Sequence, residues 1–180
     1  MPASTSLANL SPAEHLLDLY RMMARIRAFE NAAEETSRGG VAVFGSTADT
    51  SALVRGPLHL STGQEAVSVG ICEALRPDDV VFGSYRSHAM YLAKGGDLKR
   101  MIAELYGKVT GCAKGKGGSM HLVDSIHGVM GTSAVVGTTI PHAVGYAYAL
   151  KLRRKDSVVV SFFGDGATDE GVFYEGLNFA

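Results

Sequence analysis

Val158-Val159-Val160-Ser161-Phe162-Phe163 is an almost unbroken apolar run, and Gly164-Asp165-Gly166 follows it at once. A β-branched and aromatic run without polar alternation predicts a strand covered on both faces, the usual condition of a strand in a parallel sheet. Val80-Val81-Phe82 is a shorter run of the same kind. Around these runs the apolar spacing turns helical. Ser11-Pro12-Ala13-Glu14 joins an N-cap serine, a proline in the first turn and a glutamate placed to close a capping box, so a helix starts there. Its stripe is Leu16, Leu19, Met23, Ile26 and Phe29, and Arg38-Gly39-Gly40 supplies the stop. Further helices are predicted over residues 64–75, 88–94, 97–106 and 140–152, the last with Pro141 at its start. Helices alternating with apolar strands predict an α/β fold: a parallel sheet with helices on both faces, its ligands beyond the carboxyl ends of the strands.

A chain of 180 residues suits one domain. Residues 1–57 read as an N-terminal helical arm followed by an irregular loop over 41–57, and residues 58–180 as the unit that holds the alternating helices and strands. With 46% hydrophobic residues and 22 glycines, the composition describes a globular chain rich in tight turns and not a disordered one. Net charge is −1, and the single basic run, Lys151, Arg153, Arg154 and Lys155, suits a helix C-terminus, so no nucleic-acid footprint is expected. No segment is apolar for long enough to span a bilayer, and the N-terminus lacks a secretory pattern. Cys72 and Cys112 have neither disulfide nor zinc spacing and read as free thiols. The expected compartment is the cytoplasm, or the mitochondrial matrix if a transit peptide has been removed.

Gly164-Asp165-Gly166-Ala167 sets an acid between two glycines where a strand is expected to meet a helix N-terminus. Backbone amides and the helix dipole there attract phosphate oxygens, and the Asp165 carboxylate can hold a hard cation that bridges them. An Asx turn joining strand to helix is the plainer account of such a tripeptide. The stretch Gly115-Lys116-Gly117-Gly118-Ser119-Met120-His121 is too glycine-rich for regular structure and is a loop. His59, His88 and His121 are candidates for polar work at a reacting centre, with loop fixing as the alternative for His88 and His121.

Five segments in one order resemble the alpha subunits of thiamine-diphosphate-dependent 2-oxoacid dehydrogenases. They are Leu58-His59-Leu60-Ser61-Thr62-Gly63-Gln64-Glu65-Ala66, Tyr85-Arg86-Ser87-His88, Gly115 to His121, Val136-Gly137 with Ile140-Pro141, and Gly164 to Ala180. The resemblance implies a thiamine-diphosphate-binding fold, with residues 58–180 a partial diphosphate-binding domain, and assigns roles by position. Tyr85 and Arg86 would contact the diphosphate; Ala134 and Val136 would meet the aminopyrimidine, with the Val136 side chain keeping the cofactor bent. Asp165 would be a Mg²⁺ ligand, and Gly166 and Ala167 would lie against the diphosphate. His59 would reach the cofactor pocket, and His88 is carried with it as a catalytic candidate. Ser133, Thr138 and Thr139 sit where some branched-chain relatives bind potassium; polar residues at a helix start are the alternative.

The family's second side-chain metal ligand, an asparagine, lies beyond Ala180, so the resemblance implies a chain truncated at its C-terminus and inactive alone. It further implies an α2β2 heterotetramer with a beta subunit that supplies the activating glutamate. The small substrate would be a 2-oxoacid, pyruvate by frequency, and the acyl acceptor a lipoyl-bearing E2 component. An acetoin-cleaving or transketolase-like enzyme of the same cofactor class is one alternative, and a non-catalytic fragment that only binds a partner subunit is another.

Overall fold

The computed structural model describes residues 11–38, 53, 54 and 56–180. Helix α1 spans Pro12–Ser37 and opens with the full capping box: Ser11 Oγ accepts from the Glu14 amide, and the Glu14 carboxylate accepts from the Ser11 amide. Its stripe has the expected register from Leu19 onward, with Ile26, Phe29 and Ala33 buried, whereas Leu16 stays 65% exposed beyond the edge of the core. The stop at Gly39-Gly40 and most of the loop over 41–57 lie outside the described residues. Helices α2 (Glu65–Glu73), α3 (His88–Ala93), α4 (Leu98–Leu105) and α5 (Thr139–Leu152) match the spacing that predicted them.

The sheet has three parallel strands in the order β2-β1-β3: β1 is Val80–Gly83, β2 is Val129–Thr132 and β3 is Val159–Ser161. Strand β1 is central and buried throughout. Its residues alternate between two cores. Val81 faces the larger one, with Ile26, Phe29, Met90, Tyr91, Met101 and Leu122. Val80 and Phe82 face the other, against Ala143 and Tyr146 of α5. Helices therefore cover both faces, and α1 belongs to the main core together with α3 and α4.

Two expectations need correction. Strand β3 forms a sheet edge and is only half buried, with Val158 52% and Phe163 42% exposed, so its apolar run is not covered on both faces among the described residues. Gly164-Asp165-Gly166 does not open a helix directly: residues Asp165–Asp169 form a 3₁₀ turn, and α6 (Gly171–Phe179) begins only after Glu170, whose backbone is extended. Thr168 Oγ donates to the Asp165 carbonyl, and the Ala167 and Glu170 amides close i→i+3 bonds, as expected where Gly, Asp and Thr disfavour a continuous α-helix. Strand β2 was not expected. It is short, contains Gly131, and its register slips against β1 between Val81 and Phe82, so no periodic signal marks it.

Candidate active site

Parallel strands end on the same side, so the residues that follow β1 and β3 meet there. After β1 the chain turns through Ser84-Tyr85-Arg86-Ser87, a turn closed by Ser87 Oγ donating to the Ser84 carbonyl at 2.7 Å. A β-carbon at Gly83 would overlap Ser87 Oγ and press on Met90 Sδ, so a glycine there lets the turn close without moving either side chain. With the turn after β3 it encloses a cavity of about 570 Å³. Tyr85, Arg86, Val136, Asp165, Gly166 and Ala167 all line it, as do the apolar side chains of Val67, Met90, Phe162 and Phe163. Six of the candidate residues, taken from three separate stretches of sequence, thus share one wall-to-wall space.

The lining divides by chemistry. Arg86, Tyr85 and the serines of the first turn bring donors, while Asp165 is the one carboxylate among the described lining residues. The Arg86 guanidinium carbon lies 5.8 Å from the Tyr85 ring centre, and Arg86 Nη1 donates to the Leu60 carbonyl at 2.9 Å. No acidic side chain pairs with Arg86 among the described residues. A fixed guanidinium, a phenol and a nearby carboxylate fit a diphosphate and a hard cation, and the apolar remainder fits a flat ring system. A β-carbon built on Gly164 or Gly166 would meet nothing within 4 Å, so the space beside that turn is open to a ligand. Asp165 is not part of a group of three or more His, Cys, Asp or Glu that could by itself hold a metal; none exists among the described residues.

His59 stands behind this wall. Its ring packs on Tyr85 with centroids 4.8 Å apart, and burial, then the Arg86 cation, then His88 hold its imidazole below the ordinary histidine value. Ala134 lies just before the lining residues Val135 and Val136 and is not one of them. His88 is not brought to the cavity. It is fully buried, with Nδ1 3.0 Å from Glu30 Oε2 and Nε2 2.9 Å from Ser119 Oγ. Ser133, Thr138 and Val135 satisfy one another: Thr138 Oγ contacts Ser133 Oγ at 3.1 Å and donates to the Val135 carbonyl at 2.9 Å. The Ser133 and Thr138 hydroxyls close the turn that starts α5, while Thr139 lines the cavity.

The glycine-rich loop is organised by a residue that no motif announced. Glu104, 1% exposed at the end of α4, accepts four backbone amides: Ala113 and Gly115 on Oε2 at 2.7 and 2.8 Å, Gly117 and Gly118 on Oε1 at 2.7 and 3.1 Å. Burial pushes its carboxyl up and these amides more than offset that, so it titrates below the ordinary carboxylate range. A second cavity of about 580 Å³ adjoins the loop, but the amides a phosphate would use there are already taken by Glu104. A conserved-looking periodicity could not have revealed it. Its only sequence signal is an acid at an apolar-facing position of an amphipathic helix.

Residues 49–180 match the model of the dehydrogenase E1 component family. The chain is 41% identical to the alpha subunit of acetoin:2,6-dichlorophenolindophenol oxidoreductase from Bacillus subtilis (strain 168), over 93% of this chain and 46% of that subunit. It is 36% identical to the mitochondrial pyruvate dehydrogenase E1 component subunit alpha-1 of Arabidopsis thaliana, over 93% of this chain and 40% of the relative, and 37% identical to the corresponding mitochondrial subunit of Solanum tuberosum, over 99% and 42%. It thus spans less than half the length of these curated relatives. No described helix is long and apolar enough to cross a membrane. A parallel sheet with a diphosphate-suited cavity at its carboxyl edge, and a family match across 49–180, lead to one conclusion: the chain belongs to the dehydrogenase E1 component family.

Proposed function

We propose that this chain forms the diphosphate-binding part of an E1 alpha subunit that, with a beta partner in an α2β2 assembly, decarboxylates a 2-oxoacid and passes the acyl group to a lipoyl-bearing E2 component. The observation that carries this reading is the convergence of Tyr85, Arg86, Val136, Asp165, Gly166 and Ala167 on one cavity. Thiamine diphosphate, when bound, supplies the nucleophilic carbon and the electron sink for decarboxylation. The chain's residues bind and orient. Arg86 and Tyr85 would face the diphosphate, Asp165 would offer one oxygen ligand to Mg²⁺, and Val136 with the aromatic wall would pack on the ring side. His59, whose imidazole is held below its ordinary value by burial and the Arg86 cation, packs on Tyr85 and holds it in place. The two cysteines are free, which suits the cytoplasm or the mitochondrial matrix.

Calorimetry tests the reading. Thiamine diphosphate with Mg²⁺ is expected to bind weakly to this chain and tightly to a full-length version assembled with its beta partner, with Asp165→Ala abolishing the Mg²⁺ dependence. Equal binding by both forms, or an unaltered Asp165→Ala, would sink it. A second reading, acetoin cleavage, is favoured by the 41% identity to a subunit named for acetoin. Turnover of acetoin but not of pyruvate by the assembled enzyme, with a dye as electron acceptor, would select it.

A further inference from the structure

Glu30 is fully buried in α1, and both of its carboxylate oxygens are in use. Oε1 accepts the Ser61 amide at 2.9 Å, and Oε2 lies 3.0 Å from His88 Nδ1. His88 Nε2 lies 2.9 Å from Ser119 Oγ, which also accepts the His59 amide at 3.0 Å. Ser61 Oγ in turn donates to the Arg86 carbonyl and accepts the Ala89 amide, both at 3.2 Å. A carboxylate facing Nδ1 requires the proton on that nitrogen, so in neutral His88 the Nε2 lone pair accepts the Ser119 hydroxyl. Every donor then has an acceptor.

We propose that Glu30 is a positioning residue for the candidate site: it sets the His88 tautomer, and through Ser61 and Ser119 it fixes the backbone that carries His59 and Arg86. The role rests on the cofactor reading above, because those are the residues positioned. Carboxylate, imidazole and hydroxyl stand here in the order used by serine hydrolases. Ser119, however, is 5% exposed and spends a lone pair on the His59 amide, so the hydroxyl serves as a bridge.

Glu30→Gln isolates the effect. Its carboxamide oxygen keeps the Ser61 amide, while its NH₂ group faces Nδ1 and forces the proton to Nε2. Two-bond ¹⁵N NMR of the chain is expected to show an Nδ1–H His88 in the wild type and Nε2–H in Glu30→Gln, with weakened proton contacts between the His59 and Tyr85 rings. Affinity for thiamine diphosphate and Mg²⁺ is expected to fall about tenfold, the scale seen when a ligand-orienting residue is changed. Ser119→Ala is expected to leave the tautomer alone yet loosen the same ring contact. An unchanged tautomer and ring contact in Glu30→Gln, an unchanged ring contact in Ser119→Ala, or labelling of Ser119 by a fluorophosphonate would overturn the proposal. Ring contacts that respond as stated in both variants, with no thiamine diphosphate bound by the chain assembled with its beta partner, would support the positioning and refute the cofactor reading instead.

Discussion

Glu104→Gln removes a charge without changing shape, in a cage where every contact is known. The carboxylate accepts four amides, two on each oxygen. A carboxamide keeps one oxygen and its two bonds, and turns an NH₂ group toward the other two amides. Two charge-assisted bonds are lost at about 1.5–3 kcal/mol each and two amides are left facing an NH₂ group, so the expected destabilisation is about 3–6 kcal/mol. For a chain of this size each kcal/mol moves Tm by roughly 2–4 °C, which gives a fall of about 6–24 °C by calorimetry or circular dichroism. The pH dependence has a definite sign. The folded carboxyl titrates below its ordinary value, so its contribution is present above the unfolded value and is lost as pH falls through the folded one. Wild type and Glu104→Gln are therefore expected to converge in acid and diverge toward neutrality. A fall in Tm below about 3 °C at neutral pH, on that same scale, would refute the claim that this carboxylate organises the loop.

Two further perturbations address the framework. Gly117→Ala would drive a β-carbon into the His121 carbonyl, a backbone atom that cannot swing aside, so a loss of about 1–3 kcal/mol is expected in urea unfolding. Ser11→Ala removes the N-cap of α1 and half of its capping box, and about 1 kcal/mol should follow, with no effect on ligand binding at the distant cavity.

What the sequence made legible was what repeats or punctuates. Helical spacing located α1 through α5 to within two residues or so, and the capping box marked the start of α1 to the residue. Motif order brought together the residues of the cavity, because the loops that follow β1 and β3 must meet once the strands are parallel and adjacent. Strand β2 escaped because four residues with a glycine and a register slip carry no period. Glu30 and Glu104 escaped for a different reason. Each is a charged residue on a helix whose burial is repaid by hydrogen bonds from segments 31 and 9 or more residues away, and only the folded backbone brings those partners in. His88 shows the same limit from the other side: its place in a recognised motif suggested a reacting group, and its burial between Glu30 and Ser119 gives it a positioning task.

The central claim is that the turns after β1 and β3 together receive a magnesium diphosphate. Amide hydrogen exchange with and without thiamine diphosphate and Mg²⁺, read segment by segment in the assembled enzyme, tests it most directly. Joint protection of residues 84–87 and 164–168, with residues 113–118 unchanged because Glu104 already holds four of their amides, is the expected result. Protection confined to 113–118, in the other cavity, would contradict it.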